Sequence, residues 1–422
     1  MNANLLRRLS ACAFLPLLGT AAAVAQDSHS HAAQEHGSEH DHGPHAGEVE
    51  GLAMGVVLDG FAIFGDAGDE ARGDSYNRVV LRGAEFDISG EIDELGWAYL
   101  VAGFGDEGGN EFEFELLEAA VWLDELPKKF SVRAGRYLAD LGKWNGLHVH
   151  ERPFPFEDGA RQAAFGGSLI VNGLELHQRY DEDDFHLRWS LGLATNFEGH
   201  SHPVLDFQDP RSEEGHSHGF ESGSVGDREL SDFAWTGRIA GLHEFGDDLS
   251  FQWGVSAFLT EDGLLEEHDE GGSLEQFALG QNTLSLDFLV RMGDGHHGHT
   301  QTAGLELYLH NRDLVDEATD SIKSADGVGL SGFLEHGLTE NWSLGTQASW
   351  WERPDKLDGG DWFSGQQAGR QLAVYASWSP SETQRLRFAL SHFDPTPYSP
   401  ADWVVALQWV VRLGNHRHGL DW

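Results

Sequence analysis

From Met54 to near the end of the chain, apolar and polar residues alternate with a period of two, segment after segment. A helix cannot present that pattern, whereas a strand with one apolar and one polar face does. Residues 249–260 put Leu249, Phe251, Trp253, Val255, Ala257 and Leu259 on one face and Ser250, Gln252, Gly254 and Ser256 on the other. The same alternation runs through 185–195, 283–292, 371–378 and 403–413. Sixteen strands can be placed: 54–64, 79–91, 95–104, 111–124, 129–138, 167–180, 184–196, 231–245, 249–260, 282–293, 300–312, 326–337, 341–352, 370–379, 384–393 and 402–413.

A soluble β-sandwich also alternates, but three features favour a barrel in a membrane. The apolar faces run for about 9–11 residues, the length of a tilted spanning strand. The opposite faces carry Arg, Asp, Glu and His more than Ser or Thr, which suits a wet interior. The connections also alternate in length. Those after even strands are short (DELPK, DED, GDD, TEN, SPSE), while the longest follow odd strands, around 139–166, 197–230, 261–281 and 353–369. Short turns on one side and long loops on the other are the habit of outer-membrane barrels, and an even count returns both ends to the periplasm. The expectation is an all-β, transmembrane, antiparallel up-and-down barrel of about 16 strands, with 14 and 18 as alternatives, and a long loop folded into or over its pore.

The N-terminus fits that compartment. Arg7 and Arg8 precede an apolar stretch from Leu9 to Val24, and Ala23-Val24-Ala25 is a small-x-small cleavage site, so residues 1–25 read as a secretory signal peptide. Cys12, the one cysteine, lies inside it, which leaves no disulfide or thiolate site in the mature chain. Residues 26–52 form a His-rich polar tail that cannot bury a core and is expected to be disordered in the periplasm. The barrel is expected over 53–422. The formal net charge of −43 argues against nucleic acid.

One block carries a family resemblance. It contains Glu118-Ala119, Leu126-Pro127, Gly135-Arg136, Gly142 with Asn145, His148 with His150, and Phe154. With the His-rich segment after the signal and the terminal Gly414, His416, His418 and Trp422, it resembles porin-like outer-membrane proteins often labelled zinc-regulated, TonB-dependent outer-membrane receptors. Receptors of the TonB class have about 22 strands and a plugged lumen. This chain is too short for that, so the resemblance implies a plugless, porin-like barrel. In sixteen-stranded porins the loop after the fifth strand narrows the pore. By resemblance the 139–166 loop is the constriction, with Trp144, Phe154, Phe156 and Phe165 on the wall and His148, His150, Glu151, Arg152, Asp158 and Arg161 facing a water path. A loop packed over the barrel mouth is the alternative.

Alternation places Arg133, His186, Arg188, Asp287, Arg291, Glu306, His310 and Arg412 in the lumen. Imidazole suits zinc, copper or nickel. Candidate metal ligands are His29, His31, His36, His40, His42 and His45 in the tail, His200, His202, His216 and His218 in an outer loop, and His296, His297 and His299 in a periplasmic turn. A His-x-His pair supplies two ligands where zinc takes about four. The expected function is passive solute uptake, with divalent metal such as Zn2+ as cargo and no cofactor required. The alternatives are a general or anion-tolerant porin with no metal role, and a closed structural or adhesive barrel. No Gly-x-Ser-x-Gly or His-Glu-x-x-His motif occurs, and no catalytic residue is assigned. Expected partners are lipid and lipopolysaccharide, the barrel-assembly machinery through Trp422, and two further copies of the chain if a trimer forms.

Overall fold

The computed structural model describes residues 52–65, 77–106, 112–200, 222–224, 227–246, 248–270, 273–293, 299–316, 321–354, 366–394 and 402–414. They form sixteen strands: β1 (Leu52–Gly65), β2 (Arg78–Asp93), β3 (Gly96–Asp106), β4 (Phe112–Leu126), β5 (Phe130–Leu138), β6 (Ser168–Glu182), β7 (Phe185–His200), β8 (Ala234–Glu244), β9 (Leu249–Glu270), β10 (Ser273–Met292), β11 (Gln301–Asp316), β12 (Ser321–Gly337), β13 (Trp342–Pro354), β14 (Gln366–Ser381), β15 (Gln384–Asp394) and β16 (Asp402–Gly414). Each pairs antiparallel with its neighbours in sequence, and β16 closes onto β1, with Gly60 opposite Trp409. Closure leaves no strand edge, which is what a sheet in lipid requires.

The alternation in the sequence becomes an outside and an inside. On β16, Trp403, Trp409 and Leu413 are 57%, 52% and 57% exposed, while Val404, Ala406 and Gln408 between them are 0–1% exposed. The same outward apolar row continues through Leu174, Leu191, Ile239, Val255, Leu344, Leu372, Val374, Phe388 and Leu390. Aromatic pairs such as Trp342 with Trp378, stacked at 6.0 Å, belong to this outer face. An exposed apolar belt of this extent is unstable in water and matched to hydrocarbon.

One connection differs from expectation. The stretch 261–281 is not a long loop but the tall end of a hairpin, with β9 reaching Glu270 and β10 starting at Ser273. Its acidic residues carry no lipid-facing pattern, so periodicity stops where the membrane does. Backbone pairing continues beyond it, realigned by a register shift between Leu279 and Gln281. Likewise β12 begins five residues before the alternation becomes readable.

The signal peptide, the tail with His29, His31, His36, His40, His42 and His45, and His202, His216, His218, His296, His297, His416, His418 and Trp422 lie outside the described residues.

Candidate functional site

The stretch from Ala139 to Gly167 leaves the wall after β5 and crosses the lumen. Glycines shape β5 and the turn that follows it. Gly135 has φ +130°, and a Cβ there would stand 2.2 Å from the Ala119 carbonyl oxygen. Gly142 has φ +66°, with the Glu306 carboxylate 2.7 Å from where its Cβ would be. Both positions need the missing side chain. Asn145 then staples the loop to the wall. Its Nδ2 donates to the carbonyls of Ala139 (2.8 Å) and Leu169 (3.0 Å), and its Oδ1 accepts from the Leu169 amide (2.7 Å).

The far contacts show the crossing. The Gly142 amide donates to Ser256 Oγ on β9 (3.0 Å), and the Trp144 amide to Glu306 on β11 (2.9 Å). Across the barrel, Arg387 of β15 donates to the carbonyls of Arg152 (2.9 Å), Pro153 (2.9 Å) and Phe154 (3.3 Å). Arg385 donates to the His150 carbonyl, and Arg82 of β2 to that of Pro155 (3.0 Å). Gln347 of β13 donates to the Phe156 carbonyl (3.0 Å). The short helix α1 (Gly159–Phe165) is capped by Asp158, which accepts from the Ala160 amide (2.9 Å) and from Ser331 Oγ of β12 (2.7 Å). Gly166, left-handed at φ 70°, ends it.

The loop's aromatic residues fill the space between. Trp144 and Phe154 meet each other and Phe333, with centroids 5.3–6.0 Å apart. Phe156 meets Phe61, and Phe165 meets Phe258 and Tyr308. This is the inner-wall packing expected of them.

The polar residues of the loop are placed differently from expectation. His148, His150, Arg152, Asp158 and Arg161 are buried, and Glu151 is half-buried. A loop that crosses the whole lumen meets a wall on both faces, so few of its side chains are left to face open water. His148 lies between two carboxylates, Nδ1 at 3.0 Å from Glu85 and Nε2 at 2.9 Å from Glu118. His150 Nδ1 sits 3.2 Å from the other Glu85 oxygen. Burial lowers the affinity of His148 for its second proton, but the Glu85 and Glu118 carboxylates outweigh it and raise its pKa well above the usual value. Arg152 donates to Ser168 Oγ and to the Leu147 carbonyl. Among the described residues, both carboxylate oxygens of Glu157 and both terminal nitrogens of Arg161 are buried without a hydrogen-bond partner. Buried polar groups of this kind call for water or a solute.

The expected lumen residues divide by depth. Arg133 pairs with Glu175 (2.6 Å) and stacks over Tyr137, and Arg188 pairs with Asp140 (3.0 Å). Asp287 takes both terminal nitrogens of Arg238, Glu306 holds the loop amides, and His310 is buried on the inner face of β11. Arg291, Arg412 and His186 stand instead at the short-turn rim. Arg291 and Arg412 are exposed, Arg412 donating to the Glu382 carbonyl (2.6 Å), and His186 lies 3.1 Å from Asp181. Of the metal candidates, His200 lies 3.0 Å from Glu115 and His299 is exposed. Among the described residues, no three His, Asp or Glu side chains are arranged as a ready ligand set.

Sequence reasoning missed Arg82, Arg238, Lys143 and Glu157, and named Asn145 within a motif without its role as a staple. Parity alone could have found Arg82 and Arg238, since each stands on the polar face of its strand. Nothing local marks Glu157.

Two cavities of about 20 Å³ each flank the loop. The first, toward the long connections where β7 ends, is bounded by Asp59, Arg82, Glu85, His148, His150 and His200. The second, nearer the short turns, is bounded by Asp140, Gly142, Lys143, Gly146, Arg188 and Arg238. Burial, reinforced by the Arg238 and Arg188 guanidinium groups, pushes the pKa of Lys143 down to about 8.

Solved structures share this architecture. OmpF of Salmonella typhi, solved with daunomycin, superposes with a TM-score of 0.53 at 11% identity, over 86% of this chain and 97% of that one. The fold is that of a porin. An anion-selective porin from Comamonas acidovorans gives 0.50 at 12% identity, over 86% and 99% of the two chains. OmpT of Vibrio cholerae, folded in vitro and in a trimer form, gives 0.50 at 8%, again over 86% and 99%. No protein-family model matches the chain, and no match among curated proteins reaches significance.

Proposed function

We propose that this chain is a porin-like channel of the outer membrane, exported by its signal peptide and passing small hydrophilic solutes without an energy source. The observation that carries the reading is the 139–166 loop inside a closed, lipid-matched barrel. A structural barrel has no need of a hydrated polar interior, whereas a channel needs a wide wall and a narrow place within it. The narrow place is where Glu157, Arg161 and Arg152 lie buried beside the loop's crossing. Cavities of about 20 Å³ lie beside the loop, one toward the long connections and one nearer the short turns. The reading assigns no catalytic residue and no resident cofactor. The trimer form of the Vibrio cholerae neighbour supports a homotrimer here, with lipid and lipopolysaccharide around it.

A second reading makes divalent metal such as zinc the cargo. The first cavity favours it, because His148, His150, His200 and Glu85 converge there. Against it, His148 already has a carboxylate at each ring nitrogen and holds its proton, and a protonated imidazole is not a ligand.

Single-channel conductance of the refolded mature protein separates the readings, measured with and without zinc beside a His148→Ala/His150→Ala variant. Conductance that zinc blocks in the wild type but not in the variant supports metal passage. Conductance indifferent to zinc leaves the porin reading and removes the metal. Silence under every condition removes the channel.

A further inference from the structure

We infer that the second cavity is a binding site for a small carboxylate anion, held chiefly by the Lys143 ammonium. The inference rests on the channel reading and deepens it, since it names the charge class that the inner half of the lumen favours.

Three cationic side chains line the cavity, and two are already committed. Arg238 gives both terminal nitrogens to Asp287, at 2.5 and 2.9 Å. Arg188 gives one to Asp140 at 3.0 Å, and Asp140 also accepts the Ser190 hydroxyl at 2.8 Å. Among the described residues, the Lys143 ammonium makes no ion pair or hydrogen bond. Glu306 is engaged by the loop amides and Tyr308 and does not line the cavity, so with Arg188 on Asp140 and Arg238 on Asp287 the Lys143 ammonium is the excess positive charge at the cavity wall. In a partly dehydrated interior, that excess attracts an anion and repels a cation more strongly than it would in bulk water.

The backbone fixes the root of the lysine side chain. The amides of Lys143 and Trp144 both donate to Glu306, and the left-handed Gly142 precedes them. There is room beside it. Gly146 lines the same cavity, and a Cβ there would meet nothing within 4 Å. A volume of about 20 Å³ exceeds the roughly 10–15 Å³ that one water-sized group requires. It takes the head of one small anion. A carboxylate fits better than a spherical halide, because its two oxygens can meet an ammonium and a guanidinium edge together. One uncommitted amine holds such a group weakly enough to release it, as conduction demands.

The test is the reversal potential of the refolded full-length mature chain in a planar bilayer under a potassium acetate gradient, repeated with potassium chloride. The wild type is expected to prefer acetate over potassium. Lys143→Gln should cut that preference by about threefold or more, while Lys143→Arg retains it. Gly146→Val, which fills the cavity without touching a charge, should lower acetate current. A wild type that still prefers cations in concentrated salt, about 1 M, where the acidic loops are screened, an unchanged Lys143→Gln variant, or a preference for chloride over acetate overturns the proposal. If the bilayer stays silent, the channel reading fails on its own, and line broadening of 13C-acetate by the refolded protein decides the site. Broadening lost in Lys143→Gln supports it, and no broadening by the wild type overturns it.

Discussion

His148 shows how one side chain can tie a loop to a wall. It lies 3.0 Å from Glu85 and 2.9 Å from Glu118, on β2 and β4, and its proton is held well above the ordinary imidazole range. A pKa raised on folding gives stabilisation that is complete below the unfolded value of about 6.5 and is lost only as pH rises through the folded value. The loop is therefore expected to stay anchored between about pH 6 and about pH 7 and to loosen on the alkaline side, read as rising protease cleavage within 139–166. His148→Gln should remove that pH dependence. Cleavage that instead rises on going from about pH 7 to about pH 6 would mean the ring is neutral. Asn145 gives a second expectation. Asn145→Ala strands the Leu169 amide, while the Ala139 and Leu169 carbonyls keep the backbone amides of Leu141 and Ala139, so the loss is roughly 1–3 kcal/mol for one buried group, measurable as a lower urea midpoint for the refolded barrel. The sequence showed Asn145 and His148 within a motif but not their partners. Glu118 precedes His148 by thirty residues and Glu306 follows Trp144 by 162, and no local pattern encodes such pairings.

At the scale of elements, the strands were legible and the loop's path was not. Alternation and the parity of connection lengths placed sixteen strands, all but β9 and β10 within about five residues of their ends, because lipid imposes the same two-faced rule on each of them. The rule lapses where the wall leaves the membrane, as in the β9–β10 hairpin, and inside the barrel. The loop's aromatic residues were expected on the wall and lie there, yet its charged residues are buried as well, since their neighbours come from β2, β4, β12 and β15. The sheet's ladder of hydrogen bonds closes without the loop. Replacing residues 143–164 with a short Gly-Ser linker is therefore expected to leave heat-modifiable migration intact while raising single-channel conductance severalfold. Unchanged conductance would place the narrowest point elsewhere.

The whole molecule carries a formal charge of −43, and its acids gather in the connecting segments. Among the buried residues the imbalance is much smaller, with Arg82, Arg133, Arg152, Arg161, Arg188, Arg238, Arg387 and the proton-holding His148 beside Asp59, Asp87, Glu118, Asp140, Glu157, Asp158, Glu175, Asp232, Asp287 and Glu306. The mouth and the interior thus apply different rules. An acidic rim acts at long range, enriching cations in the vestibule and depleting anions, and salt screens it. A committed pair or a lone amine a few ångströms from the solute acts at short range and is screened far less. The Debye length shrinks from about 30 Å at 0.01 M to about 3 Å at 1 M. If Lys143 sets the inner preference, selectivity should drift with absolute salt at a fixed gradient ratio, leaning to cations when dilute and to anions when concentrated. In Lys143→Gln the dilute-salt lean should remain while the concentrated-salt anion preference disappears, because only the short-range term has been removed. A selectivity independent of salt in both proteins would mean that the acidic rim does not govern entry, and that the charge on the outer loops serves the lipopolysaccharide surface instead of the pore.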